Sequence, residues 1–154
     1  MRTSLRKIYF SISGDARSLD GWLKRPEGGT LLERLIDPDV FPSWLTPGDI
    51  DYFVTNFEAG GFRGPINRYR NQDRDFEIFP QMGVPPVKQP SCFIAGSNDI
   101  VRRFVPDTDL YADVGAHCTD LRITKIIDGP GHWVQQEAPE PVNAALLEFL
   151  ASLG

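Results

Sequence analysis

Apolar residues near the start of the chain recur at helical spacing. In LRKIYFSI, residues 5–12, Leu5, Ile8, Tyr9 and Ile12 stand at i, i+3, i+4 and i+7, one face of a helix, and Gly14 then offers a stop. From there to Trp44 the pattern is broken by Gly21, Pro26, Gly28, Gly29, Pro38 and Pro42, which reads mostly as loop. The clearest local signal is LTPGDIDYFVTNFEAGGF. Thr46 is a good N-cap, Pro47 suits the first helical position, and Asp49 favours the positive end of the helix dipole. Ile50, Phe53, Val54 and Phe57 form the apolar stripe of this helix, and Gly60-Gly61 ends it.

Further on, NRYRNQDRDFE (67–77) reads as another helix, and FPQMGVPPVKQP (79–90), with four prolines in twelve residues, reads as a connector. It leads into SCFIAG, Ser91 to Gly96, a short apolar run bounded by Pro90 and Gly96, as expected of a strand buried on both faces. A mixed segment from Thr108 to His117 is compatible with a helix. LRITKIID, Leu121 to Asp128, is rich in β-branched residues and reads as a second strand. The last element, Pro141 to Leu153, places Val142, Ala145, Leu146, Phe149 and Leu150 on one helical face. A helical half is thus followed by strand, helix, strand, helix, the pattern of a parallel α/β unit.

Composition narrows the function classes. With 154 residues, 41% of them hydrophobic, the chain can hold one sizeable core. A net charge of -5, with no basic run longer than pairs such as Arg102-Arg103, argues against a nucleic-acid partner. No stretch has the apolar length of a membrane span, and MRTSLRKIYFSISGD has no apolar signal region, so the expectation is a soluble, cytoplasmic protein without a membrane partner. Cys92 and Cys118 form no metal spacing and no disulfide framework, and neither a metal nor another cofactor is expected.

Sites in parallel sheets lie at the carboxyl ends of the strands. Just past the first strand stands Asp99, in GSNDI; just past the second stands His132, in GPGHW. Alone, an Asp after a strand is usually a turn or cap residue, and a loop histidine usually does no chemistry. Together, at matching ends of neighbouring strands, an acid can hold one ring nitrogen so that the other accepts a proton.

Three stretches carry a family resemblance: GFRGPINRYRN, the strand running into FIAGSNDIV, and DGPGHWVQQEAPEPVNAALLEFL. They resemble the C-terminal half of the epoxide hydrolases of the α/β-hydrolase fold. The resemblance implies a partial α/β-hydrolase fold. Residues 1–78 would be the later part of a helical cap, and residues 79–154 the C-terminal part of the core. It also implies a small-molecule epoxide as substrate. His132 would be the general base that activates water, Asp99 the acid that orients it, and Tyr69 a lid acid whose neutral phenol protonates the opening epoxide oxygen. The position before that tyrosine is often Trp in the family and is Arg68 here. Trp133 would line the pocket, with core packing as the alternative.

Other parts of the family pattern have no counterpart. Neither His117 nor His132 begins an HGxP segment, no aspartate has a glycine two residues before it, and there is no Gly-x-Ser-x-Gly. Tyr9, Tyr52 and Tyr111 lack the context of the family's second lid tyrosine. The nucleophile of the family, an aspartate that forms an alkyl-enzyme ester, is therefore expected from outside these residues, and this chain alone is not expected to turn over epoxides. The first strand has only one evident neighbour, so the isolated chain is expected to be unstable or to associate unless the missing half is supplied. Two alternatives stay open: a non-catalytic binding or oligomerising module, and a haloalkane dehalogenase-like hydrolase, against which the NRYRN tyrosine counts.

Overall fold

The computed structural model describes residues 1–16, 27–80 and 86–154. Helix α1 spans Arg2–Ser11 and buries Leu5, with Ile12 buried just beyond its end. Residues 27–44 form turns, as their glycines and prolines predict, while the part of that expectation resting on Gly21 and Pro26 lies outside the described residues. Helix α2, Pro47–Gly60, starts on a reciprocal capping box. The Thr46 hydroxyl accepts from the Asp49 amide at 3.2 Å, and the Asp49 carboxylate accepts from the Thr46 amide at 2.8 Å. Gly61, at φ 67°, ends it. The two helices pack together, with the Tyr9 and Phe53 rings stacked at 4.8 Å, and Leu45 and Ile50 are fully buried.

The polar segment 67–77 is not one helix but falls in two, α3 at Arg63–Arg70 and α4 at Gln72–Ile78, with Asn71 between them. Neither helix buries a residue among those described, so no packed apolar stripe holds the two on a single axis. In the proline-rich connector, residues 81–85 lie outside the described residues, and Val87 makes an isolated parallel bridge with Cys118.

Strands β1, Ser91–Gly96, and β2, Leu121–Ile127, pair in parallel, from Cys92 opposite Ile123 to Gly96 opposite Ile127. The helix expected over Thr108 to His117 is absent; the crossover holds two short 3-10 turns, Ile100–Arg103 and Val114–His117. A polar device interrupts helix formation. Asp107 takes a left-handed φ of 57°, and the Asp109 carboxylate turns back to accept the Tyr111 amide at 3.0 Å and the Arg102 guanidinium.

A single turn, α5 at Val134–Glu137, leads into α6, Pro139–Ala151, which packs on both strands and buries Val142 and Ala145. Of the apolar face predicted for this helix, Leu146 and Leu150 stay exposed, as does Leu147. Strand β1 is less enclosed than its composition predicts: only Ala95 and Gly96 are buried, and β2 is its only partner strand among the described residues. Cys92 and Cys118 are free thiols.

Candidate active site

The parallel register sets the ends of β1 and β2 side by side, and the loops that leave them are then bonded backbone to backbone. Ser97 donates its amide to the Ile127 carbonyl at 2.8 Å, and Asn98 donates to that of Pro130 at 2.9 Å. The approach is close enough to exclude side chains at three glycines, Gly14, Gly96 and Gly131. A Cβ on Gly96 would stand 2.2 Å from the Pro130 oxygen, and one on Gly131 would stand 2.5 Å from the backbone of Ser13 and Gly14. The loop bearing His132 is therefore clamped between the end of β1 and the turn after α1. Its position is sealed by the His132 amide, which donates to the Ile12 carbonyl at 2.9 Å.

Within this clamp Asp99 and His132 meet, as their places after the two strands predict. Nδ1 of His132 lies 3.0 Å from Oδ1 of Asp99. Asp99 is buried, and its carboxylate also accepts the Val101 amide at 3.0 Å and the Tyr111 hydroxyl at 2.8 Å. Burial by itself would raise the Asp99 pKa. The bonds from His132, Val101 and Tyr111 outweigh it and hold the carboxyl below its ordinary value. The bond to Asp99 in turn lifts the His132 pKa above that of a free imidazole, against desolvation that lowers it. An ionised carboxylate facing Nδ1 keeps the proton there, so Nε2 is left to accept one. The imidazole is more than one-third exposed, with its side chain at 37% of full accessibility, so that nitrogen can reach water.

Tyr111 is the residue that sequence reasoning missed. It is a further side-chain hydrogen-bond donor to Asp99, and burial together with that bond raises its own pKa, which keeps it a donor. It stands twelve residues from Asp99 in a loop without a helical pattern, so only the Asp109 turn that aims it could have announced it.

Trp133 sits edge-on to the His132 ring at 5.0 Å and stacks on Tyr9 at 4.4 Å, with its indole N–H donated to the Tyr9 carbonyl at 2.8 Å. It thus packs against α1 as well as walling the histidine. Tyr69 lies on α3. It is 71% exposed, and its hydroxyl makes no hydrogen bond to the Asp99–His132 pair.

No protein-family model matches the chain. It is similar to epoxide hydrolase A of Mycobacterium tuberculosis, at 40% identity over 128 residues, covering 83% of this chain and 38% of that protein. It is also similar to epoxide hydrolase B of the same organism, at 36% identity over 135 residues, covering 86% of this chain and 37% of that one. Its fold follows that of a solved epoxide hydrolase from an endophytic Streptomyces with a TM-score of 0.87 and 35% identity, covering 99% of this chain and 46% of the other. Helices beside a small parallel sheet are then part of a larger architecture. The chain is homologous to the epoxide hydrolases of the α/β-hydrolase fold and spans less than half the length of the relatives it matches.

Proposed function

We propose that these residues are the C-terminal portion of an epoxide hydrolase, which converts an epoxide to a vicinal diol through an alkyl-enzyme ester. Residues 1–78 serve as the later part of its cap and 79–154 as the end of its core. The observation that carries this reading is the 3.0 Å contact between His132 Nδ1 and the buried Asp99, at the adjacent ends of two parallel strands. In the reaction, a carboxylate from the remainder of the fold attacks an epoxide carbon and the C–O bond breaks. The Tyr69 hydroxyl, which has no other hydrogen-bond partner among the described residues, gives its proton to the released oxygen. His132 Nε2 then takes a proton from water, and the hydroxide so formed attacks the ester carbonyl. The ester collapses to diol and free carboxylate, Asp99 stabilises the imidazolium meanwhile, and the proton held on His132 returns through solvent to the Tyr69 phenolate, restoring both groups.

No aspartate in the 154 residues follows a Gly-x elbow, so the chain alone is inactive and works only with the half of the fold that carries one. Co-production with a polypeptide bearing HGxP and Gly-x-Asp segments tests this. Diol should form from small epoxides and should be lost in both His132→Ala and Asp99→Asn. Full retention in either variant would sink the assignment. Assembly of the two halves with no diol at all would instead favour a binding module that keeps the pair without the chemistry.

A further inference from the structure

Besides Asp99, a second carboxylate converges on the histidine loop. Glu137, on the single turn α5, accepts three backbone amides: Gly14 at 2.8 Å and Gly131 at 2.9 Å on one oxygen, and Trp133 at 3.0 Å on the other. Gly131 and Trp133 are the two neighbours of His132 in sequence, and the His132 amide itself goes to Ile12. All three consecutive amides of this stretch are therefore bound, and only through side-chain and backbone acceptors that lie outside it.

We infer that Glu137 is the positioning residue of His132, holding the loop so that Nδ1 meets Asp99. This rests on the reading of His132 as the base. The residue type follows from the partners. All three are donors, and a carboxylate offers only acceptors. Glutamine would keep one oxygen and turn an N–H group toward a donor, so it cannot satisfy the same set. Each bond is also charge-assisted, which favours short and directed geometry. The anion has a further effect at the ring: after the dominant bond from Asp99, and against desolvation, its charge adds to the upward shift of the His132 pKa. Glu137 touches neither the imidazole nor the water it would activate, so its influence passes through the backbone and the field.

The test compares Glu137→Gln with the parent, each as the isotope-labelled chain complemented by the half of the fold that carries HGxP and Gly-x-Asp, with Glu137→Ala alongside. Two readouts are used: hydrogen exchange of backbone amides and NMR titration of the imidazoles. With only two histidines in the chain, His117 is an internal control. Expected are at least tenfold faster exchange at Gly131 and Trp133, a lower pKa for His132, and no change at His117 or in the amides of β1 and β2. Unchanged protection and an unchanged His132 pKa in the glutamine variant would overturn the inference. So would a loss of protection spread evenly over both strands with His117 shifted too, because that is general unfolding and not positioning. Neither readout needs turnover, so the inference can fail while His132 remains the base, and can hold in a chain that never opens an epoxide.

Discussion

Adding one methyl group at Gly131 should disable the histidine without touching it. A Cβ there would meet the Gly14 nitrogen and the Ser13 carbonyl carbon at 2.5 Å and the Ile12 oxygen at 2.6 Å, where ordinary contacts begin near 3.4 Å. All three are backbone atoms, so no side-chain rotation relieves the clash and the loop must retreat by about 1 Å. A shift of that size along the Nδ1 to Asp99 direction would take the separation from 3.0 Å to about 4 Å, beyond hydrogen-bonding range. Overpacking of this kind costs roughly 1–3 kcal/mol, and a hydrogen bond to a charged group contributes about 1.5–3 kcal/mol. Because the imidazole is partly exposed and water replaces some of that bond, the total should be near 3 kcal/mol. For a complemented protein about twice this chain's length that lowers the melting temperature by roughly 3–6 °C. Gly64→Ala is the control: nothing lies within 4 Å of its added Cβ on α3, and it should be neutral or slightly stabilising. The assay is a thermal melt of the complemented protein with NMR titration of His132. A Gly131→Ala protein that melts with its parent and keeps a raised His132 pKa would refute the clamp.

The remaining predictions concern pH and the core. The acid limb of the diol-forming rate should have its midpoint above the ordinary imidazole value of 6.5, since the bond to Asp99 raises the His132 pKa, and Asp99→Asn should move whatever activity remains toward lower pH; a midpoint at or below 6.5 would contradict the pairing. For stability the signs are opposite for the two partners. His132, with its pKa raised, stabilises fully below 6.5 and less as pH rises through its folded value; Asp99, with its pKa lowered, stabilises fully above 3.8 and less as pH falls through its own. Melting temperatures should therefore show the pair's largest contribution between those limits, and Asp99→Asn should flatten that maximum. Ile50→Ala, at a fully buried position of α2, should cost about 2–5 kcal/mol in denaturant melts. Thr46→Ala, which removes one half of the capping box, should cost about 1 kcal/mol by the same measurement.

What the sequence could announce was whatever depends on neighbours within a few positions. Thr46, Pro47 and Asp49 specify their helix start through local bonds, and both strands stand where their β-branched and apolar runs are. Asp99 and His132 were legible as a pair because parallel strands deliver their ends to one place. Tyr111 was not, since its hydroxyl reaches Asp99 only after Asp109 has turned the crossover away from a helix and tied it to Arg102. The break at Asn71 was equally silent: a segment polar on all sides carries no stripe from which its axis can be read. The openness of β1 depends on which strands stand beside it, a property of the assembled sheet and not of the strand's own residues.

The three long-range bonds between the start of the chain and the histidine loop have a consequence for recombination between relatives. Tyr9 to Trp133, Ile12 to His132 and Gly14 to Glu137 join positions more than a hundred residues apart, and every one of them uses backbone on the N-terminal side. A chimaera that exchanges residues 1–78 as a unit keeps these partners only if the incoming segment presents the same carbonyls and amide in the same turn. A chimaera that exchanges only residues 15–78, so that the stretch from α1 to Gly14 comes from the same parent as the histidine loop, should give viable hybrids more often than one that exchanges residues 1–78 as a unit.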